Sequence, residues 1–211
     1  MAESNSAQGE NRSSVIVQER ITIPNKDGEK LVGLLDDTGS RELIIICHGF
    51  RSCKENETSA NLASALINNG ISAFRFDFSG NGESEGEFFY GNYWKEVEDL
   101  HAVVLHFLGK ERKVNTIIGH SKGNVEYRLT KESLMDRLQT DMKSAALSIS
   151  KSCRVLTIHG SKDEVIPVTD AFEFDKLIPN HSLHVIDEAN HGYSFHQNDL
   201  ASVVLNFIKA V

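Results

Sequence analysis

Short, nearly uninterrupted apolar runs alternate along the chain with segments in which apolar residues recur every third or fourth position. The runs Leu43–Cys47, Ile71–Phe78, Val114–Ile118, Arg154–His159 and Leu183–Ile186 read as strands buried on both faces. Between them the spacing predicts helices around 57–69, ended by Gly70, over 93–108, ended by Gly109, around 131–147 and over 171–177. In the second of these, Trp94, Val97, Leu100, Val104, Phe107 and Leu108 share one face. Leu200, Val203, Val204, Phe207 and Ile208 form the stripe of a closing amphipathic helix. Ahead of this series, Val15–Pro24 and Leu31–Leu35 flank Asn25-Lys26-Asp27-Gly28, whose Asp-Gly step supplies the positive φ of a hairpin turn.

A hairpin followed by a βαβ rhythm implies an α/β fold, a doubly wound, mostly parallel sheet with helices on both faces. In such sheets chemistry gathers at the carboxyl ends of the strands. Residues 1–13 hold almost nothing to bury and read as a disordered tail. Residues 14–211 then form one domain, since no repeat or linker divides them and 40% hydrophobic against 25% charged residues supports one sizeable core.

With 22 Lys and Arg against 30 Asp and Glu, the net charge is −8, which disfavours nucleic acid and anionic membranes as partners. The longest apolar run, Leu43–Cys47, is far short of a membrane span, and the N-terminus lacks a hydrophobic signal core, so no transmembrane segment is expected. Cys47, Cys53 and Cys153 are too few and irregular for a disulfide framework, which fits a reducing, cytoplasmic location. Cys47 reads as buried packing and Cys53 as a loop thiol.

The strand Val114–Ile118 runs into Gly119-His120-Ser121-Lys122-Gly123, a GxSxG at a strand end. A serine on a sharp strand-to-helix turn projects its hydroxyl above the sheet, and small neighbours permit the turn. Such a hydroxyl needs a base to take its proton, and the base needs an orienting carboxylate. Asp163 follows the strand Arg154–His159, with Glu164 as rival acid, and His191 follows the strand Leu183–Ile186. Ser, Asp and His thus come in the order that a doubly wound hydrolase requires. The structural alternatives are that Asp163 caps the next helix and that His191 is a loop residue. His181, His184 and His196 read as surface residues. His48-Gly49-Phe50 follows the most apolar strand, and the backbone N–H groups of Phe50 and Lys122 are the candidate oxyanion donors.

Other chemistries fit less well. Phe76-Asp77-Phe78-Ser79-Gly80-Asn81-Gly82-Glu83-Ser84-Glu85-Gly86 follows a strand, but its glycine spacing and two glutamates do not suit a pyrophosphate. No HxH or HExxH occurs, so no metal is expected. Phe88, Phe89, Tyr90, Tyr93 and Trp94 could line an acyl or aromatic pocket, or serve as core at the start of a helix.

Carrying HGF, FDFSGNGES, GHSKG, HGSKDEVIP and ANHGY in this order, the chain resembles the α/β-hydrolase superfamily over about residues 15–211. It is most similar to the small esterase and lipase-like branch with cinnamoyl (feruloyl) esterases, monoacylglycerol lipase-like proteins and serine aminopeptidase-like hydrolases. The resemblance implies Ser121 as nucleophile, Asp163 as orienting acid, His191 as base, Phe50 and Lys122 as oxyanion donors, and no cofactor. The expected activity is hydrolysis of a small-molecule carboxylic ester through an acyl-enzyme. The alternative is a shortened, catalytically weak or inactive relative that binds a ligand or partner. The interval from Ser121 to Asp163 is shorter than this family's, as though one strand and the lid were missing. Direct pairing of the Val114–Ile118 strand with Arg154–His159 is the expected remedy, with an open site, weak selectivity and low thermal stability as its consequences.

Overall fold

The computed structural model describes residues 17–121 and 140–210. The chain opens with an antiparallel hairpin, β1 (Val17–Pro24) and β2 (Lys30–Asp37), in full register from Val17 opposite Asp37 to Pro24 opposite Lys30. Then come β3 (Glu42–Cys47), α1 (Glu57–Ile67), β4 (Ser72–Phe76), α2 (Tyr93–Leu108) and β5 (Lys113–Gly119). After residue 139 follow α3 (Met142–Leu147), β6 (Val155–Gly160), α4 (Val168–Leu177), β7 (His181–Ile186) and α5 (Gln197–Lys209). The expected tail 1–13 and most of the helix expected around 131–147 lie outside the described residues. The elements found are those the pattern predicts, with ends moved by one to a few residues, as capping and fraying allow. α1, for instance, begins where the Asn56 side chain accepts from the N–H of Ser59 at 3.0 Å.

Strand order in the main sheet is β1-β2-β4-β3-β5, with β3 parallel to both β4 and β5 and β2 antiparallel to β4. β6 and β7 pair in parallel as a second, two-stranded sheet. The expected direct pairing of β5 with β6 is therefore not made among the described residues. What joins the two sheets on one face is an apolar layer of Ile44, Ile46, Leu62, Leu66 and Ala73 from the first half with Ile186, Ala189, Tyr193, Leu200 and Val204 from the second. Non-directional burial of this kind holds the sheets together without backbone ladders. On the other face Phe74 meets Phe107 and Phe76 meets Phe78 edge to face, Phe74 stacks on Phe76, and Val103 joins the cluster beneath the hairpin.

Two expectations about burial change. β4 is buried throughout, but β5 alternates half-buried with exposed positions, and Ile117 is 51% exposed. In α2 the buried positions are Asp99, Val103 and Phe107, whereas Trp94 is 77% and Val97 55% exposed. The helix is turned so that Asp99 faces inward, where it accepts from the N–H and hydroxyl of Ser79 and from Asn25. Leu100, Val104 and Phe107 of the expected stripe still pack against the core, and three buried hydrogen bonds to the Asp99 carboxylate bring it in beside them. No helix among the described residues is long and apolar enough to cross a membrane.

Candidate active site

Three strand ends meet at the carboxyl edge. Ser121 follows β5 on a turn with φ of +30°, a backbone conformation that L residues rarely adopt. His120 N–H donates to the carbonyl of Cys47 at 3.2 Å, which seats the turn on the end of β3. Gly49, after β3, is pressed against this turn: a Cβ there would stand 2.2 Å from the Ser121 carbonyl oxygen and 2.8 Å from that of His120. Only glycine permits that approach.

The Ser121 hydroxyl is in hydrogen-bond contact with His191 Nε2. On the far side of the same ring, Nδ1 donates to Asp163 Oδ2 at 2.8 Å and Oδ1 at 3.0 Å. Because Nδ1 bears the proton, Nε2 of the neutral ring is the acceptor, and the hydroxyl donates to it. Asp163 Oδ1 also accepts from the N–H groups of Val165 and Ile166, each at 2.8 Å. Burial works against its charge, but the amides of Ile166 and Val165 with the His191 ring hold the carboxyl below the usual carboxylate range. The capping alternative fails in detail, since α4 starts only at Val168, after Pro167. Glu164, the rival acid, takes a different post: its Oε2 accepts from the backbone N–H of His191 at 3.1 Å.

Gly160, at the end of β6, packs against the loop that bears His191, with a notional Cβ 2.2 Å from the Ala189 carbonyl oxygen. Lys162 N–H donates to that carbonyl at 3.0 Å, and Ser161 N–H to Ile186 at 2.9 Å. These contacts bind the acid loop to the histidine loop, so the β6–β7 pair presents both as one unit.

Phe50 departs from its expected place. Its backbone N–H donates to the Ser121 carbonyl at 2.9 Å, so in this conformation the N–H is engaged within the protein rather than offered to a substrate oxygen. Lys122, the other expected donor, lies outside the described residues. The Phe50 ring meets Phe88 and Tyr90 edge to face at centroid distances of 5.5 and 5.3 Å. Tyr90 is thereby core, while Phe89 and Trp94 are mainly exposed. A groove of about 280 Å³ beside Phe88 is lined by Arg51, Ser52, Gly80, Asn81 and Gly82.

The loop after β3 is held from below by a buried polar cluster. Lys54, 2% exposed, places Nζ 2.7 Å from Asp77 Oδ2 and 2.6 Å from Glu83 Oε2, and its own N–H donates to Asp77 Oδ1 at 2.6 Å. Glu83 N–H returns to Asp77 Oδ2 at 3.0 Å, and Arg75 donates to the Lys54 carbonyl at 3.1 Å. His48 adds a second tie: its Nδ1 donates to the Gly49 carbonyl at 2.7 Å and its Nε2 accepts from Phe78 N–H at 3.1 Å. The glycine-rich segment after β4 is thus a wrap around Asp77. Its glutamates, one of which neutralises Lys54, were the visible signal.

Three further residues touch the His191 loop or its partners and were not singled out from sequence. His120 Nε2 donates to the His191 carbonyl at 3.3 Å, and burial pushes its pKa down. Tyr193 donates its hydroxyl to the Ile158 carbonyl at 2.8 Å, and burial with Asp163 nearby pushes its pKa up to about 12. His159 reaches the Asp163 loop. Only its place in a His-Gly pair at a strand end hinted at this. His181, expected at the surface, has its ring buried between Thr157 and Asp175, 2.7 Å from each.

The strand order with its helices, and a serine, a histidine and a carboxylate in contact at the ends of β5, β7 and β6, are those of the α/β-hydrolase fold. A family model for serine aminopeptidase, S33, matches residues 38–130. Among solved structures, Est1E from Butyrivibrio proteoclasticus with ferulic acid bound superimposes with a TM-score of 0.77 at 20% identity, covering 89% of this chain and 97% of that one. The esterase Pf2001 from Pyrococcus furiosus gives 0.76 at 20% identity, covering 98% and 97%. XC6422 from Xanthomonas campestris, a serine hydrolase without lid, gives 0.64 at 19% identity, covering 90% and 92%. No curated protein matches the sequence.

Proposed function

We propose that the protein is a serine hydrolase that cleaves carboxylic esters through an acyl-enzyme on Ser121. The observation that carries this reading is the continuous contact from the Ser121 hydroxyl through both nitrogens of His191 to Asp163. In the first half-reaction Nε2 takes the hydroxyl proton as Oγ bonds to the acyl carbon, and the imidazolium formed is stabilised by Asp163. That proton then passes to the departing alkoxide as the ester C–O bond breaks. In the second half, water attacks the acyl carbon and gives a proton to Nε2, and Ser121 Oγ leaves with it. Every group needed for proton transfer belongs to the chain, so the proposal requires no cofactor.

The substrate class in this proposal is a small-molecule ester, supported by the fold shared with two esterases. A cytoplasmic location belongs to the same proposal, supported by the small number and irregular spacing of the cysteines in the sequence. The test is turnover of p-nitrophenyl acetate together with labelling by a fluorophosphonate. Ser121→Ala is expected to abolish labelling and to lower kcat by roughly 10³ to 10⁶-fold. Labelling that persists in that variant overturns the proposal.

A second reading has one observation in its favour. With the Phe50 N–H engaged by Ser121, an oxyanion would lack that donor, and losing one donor costs on the order of 10² to 10³-fold in kcat. A weak hydrolase, or a binding protein on the same fold, is the reading this supports. Substrate turnover lost in Ser121→Ala separates the two.

A further inference from the structure

We infer that His159 is a positioning residue that holds the Asp163 carboxylate for His191, a second histidine on the same acid; the inference rests on the hydrolase reading above. His159 is the penultimate residue of β6 and is 9% exposed. Its Nε2 lies 3.0 Å from the Ile166 carbonyl oxygen and 3.4 Å from Asp163 Oδ2. Both neighbours are acceptors, so Nε2 must carry a hydrogen, and the ring spans the turn from Asp163 to Ile166. The same Oδ2 receives Nδ1 of His191 at 2.8 Å.

The carboxylate has few ways to move. Oδ1 is committed to two backbone amides of the turn, and Oδ2 accepts from the His191 ring with His159 Nε2 3.4 Å away on its other side. By gripping the Ile166 carbonyl, His159 fixes the turn that supplies those amides. By approaching Oδ2, it fixes the rotation about the Cβ–Cγ bond that aims this oxygen at His191. Losing this hold frees the turn whose amides bond Oδ1 and removes the N–H dipole beside Oδ2, which leaves a buried carboxylate more basic and less well aimed. Asp163 is the carboxylate that His159 meets within ion-pair distance among the described residues. Around His191 stand Asp163 and Glu164 from the β6 loop, His120 and Ser121 from the β5 turn, and Tyr193 from its own loop. None of the others bridges to the Asp163–Ile166 turn as His159 does.

The variants His159→Gln and His159→Asn distinguish a donor at this point from a merely polar filler. Glutamine can place an N–H where Nε2 stands, while asparagine is too short. In the full-length protein, kcat and KM for p-nitrophenyl acetate are followed from pH 5 to 9. The titration of the His191 ring is followed by NMR with labelled histidine. His159→Asn is expected to lower kcat by up to about 10²-fold with KM little changed. The acid limb of the rate profile and the His191 titration should move together to higher pH. His159→Gln should restore most of the rate and both pH midpoints. Equal losses in the two variants, or a lower kcat with neither midpoint moved, overturns the inference. Wild-type ¹⁵N shifts offer a check that needs no variant to fold: a His159 ring protonated on Nδ1 alone also overturns it. If the wild type shows no Ser121-dependent turnover while the His191 titration still moves in His159→Asn, the hydrolase reading falls and the hold of His159 on the pair stands.

Discussion

The backbone N–H of Phe50 and the carbonyl oxygen of Ser121 are 2.9 Å apart, which ties the loop after β3 to the residue proposed as nucleophile. Gly49 makes this possible by bringing the two backbones together with no Cβ between them. Both atoms that a Cβ would meet belong to backbone, so neither can rotate out of the way. Gly49→Ala should therefore displace the turn, lowering kcat/KM on the order of 10²-fold. It should also cost about 1 to 3 kcal/mol in urea unfolding, the usual price of overpacking. Wild-type activity in this variant would show that the contact does not position Ser121.

Asp163 and Glu164 divide the two ends of His191 between ring and backbone. Asp163→Asn is expected to cost on the order of 10⁴-fold in kcat by upsetting the tautomer of the ring. Glu164→Gln keeps a side-chain oxygen for the backbone N–H, and a loss below about 10-fold is expected for a neutral bond in place of a charged one. The reverse ranking in steady-state rates would make Glu164 the orienting acid.

The rate itself should rise with pH as His191 loses its proton and should then level, because only the neutral ring accepts from Ser121. The check is kcat/KM from pH 5 to 8. A flat profile removes His191 as the base.

Acid should unfold the protein through identifiable carboxylates. Asp163 is held below the usual range by the Ile166 and Val165 amides and His191, and Asp37 by Arg112, Gly39 N–H and Ser72, in both cases against burial. Between the depressed folded value and the ordinary unfolded one, the unfolded chain binds more protons, so stability increases with pH there. The contribution is complete above about pH 5 and is lost as pH falls below about 4 and through the folded values. Urea midpoints from pH 3 to 6 should show this slope, and it should be shallower in Asp37→Asn. A midpoint that rises on acidification contradicts the assignment.

Lys54 and Asp77 are both almost wholly out of water, and Lys54 is charged there only because Asp77 and Glu83 face it. Burial opposes its charge, but the hydrogen bonds to the two carboxylates prevail and raise its pKa. Lys54→Met keeps the volume and leaves the Asp77 charge buried without its ammonium, which should cost about 3 to 5 kcal/mol. The loop carrying Phe50 should loosen with it, seen as faster amide exchange from residue 49 to 54. An unchanged unfolding midpoint would show that the pair is not what holds the loop.

Much of this was legible along the chain because it depends on near neighbours. Strand runs, helical periodicity, the hairpin turn and the choice of Ser121, Asp163 and His191 as strand-end residues all rest on spacing, and spacing is local. Tertiary structure decided the rest. Asp99 is buried on α2 beside Leu100, Val104 and Phe107 because Asn25 and Ser79 supply it with buried donors from distant elements. The separation of β5 from β6 depended on whether backbone pairing or side-chain packing would join the halves, and Ile44, Ile46, Ile186 and Leu200 supply the packing. The engagement of Phe50 with Ser121, the division of His191 between Asp163 and Glu164, and the approach of His159 to Oδ2 are matters of a few ångströms across loops from different strands. Sequence order names the side chains that such loops carry; distances between them are set only when the strands beneath are packed.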